Sequence, residues 1–109
     1  MLLPNAAEAI IAAEKVLYLL DAAHPQNGGK ARSFQRLGYA LDSPEKLAHD
    51  LRAQQLAYEA LEVDQTIFGR VFTIRGILQG PAGDANILSV WIIRHGESFP
   101  RLITAYPWR

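Results

Sequence analysis

The stretch "RVFTIRGILQGPAGDANILSVWIIR", Arg70 to Arg94, decides the fold. In its first part Val71, Thr73 and Arg75 alternate with Phe72 and Ile74, the period of two that sends successive side chains to opposite faces of a strand. "GPAGDAN" gathers the residue types that make loops, and "ILSVWIIR" returns to the β-branched and aromatic residues that favour strands. Two such runs joined by a short loop pair antiparallel. Downstream, "HGESFP" predicts a turn and "RLITAY" a further strand; upstream, "AYEALEV" predicts a first strand, with alanine and glutamate weakening its β-character. Short turns between the last three strands predict a meander that packs one face on a core.

Before Leu56 the period is helical. "SPEKLAHDLRAQQL" carries Ser43 as N-cap, Pro44 at the first helical position and Leu47, Leu51 and Leu56 as apolar anchors. "KARSFQRLGY" follows Gly28-Gly29, repeats Ala31, Phe34 and Leu37 at three-residue spacing, and has Gly38 where a C-terminal glycine cap belongs. "AAEKVLYLLD" predicts a helix from about Ala12, with Ala9 to Ile11 read either as its start or as a short extended piece. The expectation is an α+β fold: three N-terminal helices packed on a C-terminal antiparallel meander of three or four strands, in a single domain over residues 1–109.

Composition bounds the function. At 109 residues the chain can bury roughly three-fifths to two-thirds of its unfolded surface. Half the residues are apolar and a fifth charged, as in globular proteins able to fold alone or as a simple homo-oligomer. Net charge is zero, which argues against a long-range field for nucleic acid and makes any basic surface local. The absence of cysteine removes disulfides, thiolate zinc sites and a thiol nucleophile; together with an N-terminus unlike a signal peptide it predicts a cytoplasmic protein. No apolar run approaches a membrane span, and no membrane association is expected.

Two segments carry candidate chemistry. In "HPQNGGKARSF", His24 to Phe34, a lysine follows Gly-Gly at a helix start, beside free backbone N–H groups and the positive end of the helix dipole, where a phosphate or carboxylate would sit. His24, a residue type suited to proton transfer, stands just before it. The same residues also read as plain turn chemistry opening a basic, solvated helix face with Lys30, Arg32 and Arg36. It is not a nucleotide-hydrolase P-loop, since His24 replaces the first glycine and Ala31 the Ser/Thr.

The other segment is "PRLITAYP". A regular strand puts Thr104 and Tyr106 on one face and Arg101 on the other, so Arg101 joins them only through a bulge or a strand end. Cross-strand packing is the alternative role for Thr104 and Tyr106. Trp91 reads as a core or sheet-face aromatic; His49 and His95 read as surface residues. The histidines and acids have no metal-ligand or glycosidase spacing, and no serine sits on a nucleophile elbow, so no metal or cofactor is expected.

Taken together, "LPNA", "YLLDAAHPQNGGKARSF", "FGRVFTIRGILQGPAGDANILSVWIIRHG" and "PRLITAYP" resemble a family of uncharacterised bacterial domains found as small stand-alone proteins and as C-terminal domains of polymorphic toxins. The usual pattern is His-Pro-x-Gly-x-x-Lys-Ala and an aromatic residue, closing on Arg-Leu-Val-Thr-Ala-Tyr or similar; Asn27 stands here in place of its first glycine. Such domains look like members of the BECR group, which takes in barnase, EndoU, colicin D and RelE-like ribonucleases. The resemblance implies helices against a four-stranded antiparallel sheet and a metal-independent endoribonuclease toxin of a toxin–antitoxin or polymorphic toxin system, with RNA as substrate and a small antitoxin or immunity protein as partner. It carries His24, Lys30, Arg101, Thr104 and Tyr106 over as catalytic candidates, with Arg32 and Trp91 in support. His24 would act as acid or base, Lys30 and Arg101 would hold phosphate, and Thr104 or Tyr106 would orient it. A non-catalytic protein-interaction module, its basic helix face meeting an acidic partner, is the rival reading.

Overall fold

A computed structural model describes residues 1–108. A 3-10 turn, Ala6–Glu8, leads to helices α1 (Ala13–Leu20), α2 (Gly28–Arg36) and α3 (Pro44–Gln54); a second 3-10 turn, Gln55–Ala57, then passes the chain to β1 (Ala60–Gln65), β2 (Gly69–Gln79), β3 (Asp84–Arg94) and β4 (Arg101–Pro107). The four strands form one antiparallel sheet in chain order, the meander that short turns allow. The fold class is therefore α+β, with the helices on one face of the sheet.

Local chemistry accounts for most boundaries. Pro44 occupies the first helical position of α3, where its missing N–H has no partner to lose. Ser43 caps through its backbone carbonyl, which accepts from Lys46 N, while its side chain makes no capping bond. Helix α2 starts two residues before the expected Lys30, because Gly28 and Gly29 lie in its first turn rather than before it. It ends on Gly38 in the left-handed region (φ 98°): Gly38 N donates to Gln35 O and Tyr39 N to Phe34 O, the paired bonds of a Schellman close. Ile10 is extended: its N donates to Pro100 O and its carbonyl accepts from Leu102 N, a parallel bridge that covers part of the outer edge of β4. The first strand begins at Ala60, later than "AYEALEV" suggests, since Ala57 still belongs to the 3-10 turn and Tyr58 caps it.

The inward face of the sheet (Phe72, Ile74 and Leu78 of β2, Ile87 and Trp91 of β3, Leu102 and Ala105 of β4) packs with Val16, Leu19 and Leu20 of α1, Phe34 of α2 and Leu47 and Leu51 of α3. A polar thread runs through this core. Trp91 Nε1 donates to Ser89 Oγ at 2.9 Å, Ser89 Oγ donates to Gln55 Oε1 at 3.1 Å, and Gln55 Nε2 donates to Gly76 O at 3.2 Å. Each side chain in it has a partner, as burial demands.

Inward-facing Leu102 and Ala105 are three residues apart, which a regular strand forbids. The register explains it: Leu102 lies opposite Trp91 and Thr104 opposite Val90, leaving Ile103 as a bulge.

A second buried polar contact links the helices. Tyr39 Oη donates to Asp50 Oδ2 at 2.7 Å, and Asp50, 4 % exposed, also accepts from Lys46 Nζ at 3.1 Å. Burial, then the hydrogen bond to Asp50 and its negative charge, push the Tyr39 phenol well above the ordinary tyrosine value of 10.0. The folded chain thus keeps a proton that the unfolded chain releases first. Stability from Tyr39 is complete below pH about 10 and falls as pH rises through that value. Urea unfolding at about pH 8 and about pH 11 is expected to show a larger alkaline loss for the wild type than for Tyr39→Phe. Equal losses would contradict the assignment.

Candidate functional site

The segment between α1 and α2 is tied down by its own polar atoms. Asp21 Oδ1 accepts from Ala23 N at 3.1 Å, His24 N donates to Asp21 O, and Asn27 N donates to His24 O. The Asn27 side chain is buried and donates through Nδ2 to the Tyr18 carbonyl near the end of α1. Asn27 therefore anchors the turn through a bond that the glycine of the family pattern could not make.

This turn holds His24 against Tyr18, with ring centroids 4.9 Å apart and planes at 81°. His24 Nδ1 accepts from Gln26 N at 3.3 Å, which leaves Nε2 as the protonated nitrogen of the neutral ring. From the first turn of α2, Lys30 reaches β4. Its Nζ donates to Thr104 Oγ1 at 3.2 Å and stands 5.4 Å from the centroid of the Tyr106 ring. A cleft of about 520 Å³ opens there, lined by Glu14, Lys15, Tyr18, Leu19, Lys30, Ile103 and Thr104.

Of the candidates read from the sequence, Lys30, Thr104 and Tyr106 come together, while His24 is not among the cleft-lining residues and stands against Tyr18, which is. Arg101 does not join. The bulge at Ile103 puts it on the same strand face as Thr104, but its guanidinium is held by Glu97, with Nε to Oε1 at 2.9 Å and Nη2 to Oε2 at 2.8 Å, and lies 5.2 Å from the Phe99 ring. Those hydrogen bonds hold the Glu97 carboxyl below the usual carboxylate range, so the pair stays ionised and Arg101 is committed to it. Arg32 is exposed and outside the cleft lining. Trp91 is wholly buried and can meet no ligand.

Glu14, Lys15 and Tyr18 carry no site signal in the sequence. On an amphipathic helix they read as a solvated face and a packing tyrosine; only their positions i, i+1 and i+4 place them on one side.

The cleft suits an anion. Lys15 and Lys30 face one carboxylate, Glu14. Thr104 Oγ1 accepts from Lys30, so its own hydroxyl hydrogen is free to donate, and Lys30 keeps two further N–H donors. Donors converging from α2 and β4 could bind a phosphate's oxygens. No group of three or more His, Cys, Asp or Glu side chains arranged to hold a metal is found among the described residues.

Among the described residues no helix is long and apolar enough to cross a membrane. A search of curated proteins finds no match. A family profile, that of a domain of unknown function, DUF6883, matches residues 2–109. With nearly every residue covered, the chain belongs to the DUF6883 family.

Proposed function

We propose that the protein is a metal-independent endoribonuclease whose site is the cleft between α1, α2 and β4, and that it serves as a toxin neutralised by a small partner protein. The observation that carries this reading is the convergence of Lys30 with Thr104 and Tyr106, the threonine 74 residues away in the chain, at a cleft whose lining Tyr18 touches the His24 ring. In the reaction a ribose 2′-oxygen attacks the adjacent phosphorus, the P–O5′ bond breaks, and a 2′,3′-cyclic phosphate and a 5′-hydroxyl result. Glu14 accepts the 2′-hydroxyl proton, His24 as the imidazolium, its Nδ1 protonated and released from Gln26 N, donates the proton from Nε2 to the leaving 5′-oxygen, and Lys30 and Thr104 stabilise the charge on phosphate. Tyr18 and Asn27 hold His24 in place.

The test is cleavage of a fluorogenic single-stranded RNA in a chelator-containing buffer, beside bacterial growth on induction. Wild type should cleave the RNA and halt growth; His24→Ala and Lys30→Ala should each lower the rate about a hundredfold. A substrate carrying deoxyribose at the cleaved linkage should stay intact. RNA left whole by pure wild-type protein, with normal growth, would remove the proposal.

A non-catalytic interaction module is the second reading. It is favoured by the β1–β2 turn, where Ile67 and Phe68 are 86 % and 68 % exposed beside Ile92 and Ile103.

A further inference from the structure

The face of the sheet turned away from the helices bears a row of aromatic and cationic side chains that starts at Lys30 and Tyr106 of the cleft and continues past it. Leu88 of β3 lies opposite Arg75 of β2 on one side and Tyr106 of β4 on the other. Trp108 extends the row: its backbone N donates to Asn86 O at 2.9 Å, continuing the β4 ladder, and its ring takes the Arg75 guanidinium at 4.1 Å from the centroid. Tyr106 and Trp108 are two residues apart on one strand line and so share a face, about 6.6 Å from each other along it. The row therefore runs Lys30, Tyr106, Leu88, Trp108, Arg75, from the mouth of the cleft to the middle of the sheet.

Three features distinguish it from ordinary surface packing. Leu88 is only 6 % exposed although it lies outside the main core, between Arg75 and Tyr106 on the neighbouring strands. Trp108 remains 38 % exposed. Arg75 lies over the Trp108 ring and makes no ion pair among the described residues, although Glu59 shares a shallow depression with it. Its guanidinium carries a planar face and five N–H donors, none of them taken by a hydrogen bond to a side chain among the described residues.

We propose that this row is a stacking platform for unpaired RNA bases next to the linkage held in the cleft, an inference that rests on the ribonuclease reading for its substrate. Flat aromatic and guanidinium surfaces bind bases through their π-faces, which a single strand offers and a duplex hides. Arg75 takes a backbone phosphate beyond the one that Lys30 holds in the cleft. The apolar Ile67–Phe68 turn lies before the start of β2 at Gly69, whereas Arg75 lies within the strand, so a protein partner seated on that turn need not cover the platform.

The experiment measures binding of a 2′-O-methyl single-stranded ten-nucleotide oligomer, which cannot be cleaved, and of the same sequence as a duplex. Trp91 is fully buried and Trp108 exposed, so quenching of tryptophan fluorescence on binding reports Trp108. We expect quenching by the single strand, affinity lowered about tenfold in Trp108→Ala, and near wild-type affinity in Trp108→Phe. Arg75→Ala should weaken binding and reduce the slope of log affinity against log salt by about 0.7. Duplex should bind Trp108→Ala and wild type alike. The platform is overturned if the strand fails to quench, or if Trp108→Ala and Arg75→Ala bind it as wild type does. That result, with unmodified RNA still cleaved, leaves the ribonuclease standing; binding with no cleavage removes the ribonuclease and keeps the platform.

Discussion

Replacing Trp91 with alanine is expected to destabilise the protein by about 4 kcal/mol, the upper range for emptying a large aromatic site in a core. Trp91 is 0 % exposed and the largest of the fully buried side chains. Its loss removes the dispersion contacts of the indole and leaves a cavity that the sheet can close only partly, because the backbone of β3 is paired on both sides. It also breaks the polar thread at its end: Ser89 Oγ loses the donor at 2.9 Å, in a place water does not reach. Domains of this size have about 5–15 kcal/mol in total, so about a quarter or more of the stability goes with one side chain. Urea unfolding should show the midpoint falling sharply with the slope unchanged. Trp91→Phe should cost about half as much, since it keeps much of the volume and loses the N–H. A Trp91→Ala protein within about 1 kcal/mol of wild type would mean that this part of the core is not close-packed.

How much of this is legible in the sequence follows from how local each determinant is. The strands around Trp91 are plain because alternation in β2 and the apolar run of β3 are properties of adjacent residues. The start of α3 is plain for the same reason, through Pro44. The start of α2 is not, since two glycines read as a turn, whereas a first helical turn tolerates them when Ala31 and Phe34 are buried just beyond.

The site divides in the same manner. The residue types His24, Lys30, Thr104 and Tyr106 stand out, but the meeting of the last three depends on α2 packing beside β4, a contact between distant parts of the chain. Arg101 shows the limit most clearly. Alternation assigns it to the wrong face, and the bulge at Ile103 corrects that; what then keeps it from Lys30 is Glu97, four residues earlier in a turn, whose carboxylate could have paired with any cation in reach. Neither the bulge nor the pairing leaves a mark in local composition. Tyr18 escapes a sequence reading because a tyrosine on an amphipathic helix looks like packing until its neighbour His24 is known.

Gly69 is another residue whose importance only the folded chain shows, and Gly69→Ala is expected to cost about 3 kcal/mol. It has φ 154°, and a Cβ placed on it would lie 2.1 Å from the carbonyl oxygen of Ile93 and 2.7 Å from Arg94 Cα. Both are backbone atoms of the neighbouring strand, so no side chain can swing aside to relieve the clash. The turn before it cannot yield easily either: Thr66 Oγ1 accepts from Phe68 N at 3.1 Å and Gly69 N at 3.2 Å, and His95 N donates to Phe68 O at 3.0 Å. Alanine must therefore part β2 from β3 where Gly69 faces Arg94. Gly96 is the control: it has φ 85°, but a methyl group added there would meet nothing within 4 Å. Gly96→Ala should therefore cost only about 1 kcal/mol, the strain of a left-handed backbone alone. Urea midpoints of the two variants separate clash from backbone strain. If Gly69→Ala is no less stable than Gly96→Ala, the close approach of β2 and β3 at this turn is wrong; if it is, the exposed Ile67–Phe68 tip owes its fixed position to a residue that has no side chain.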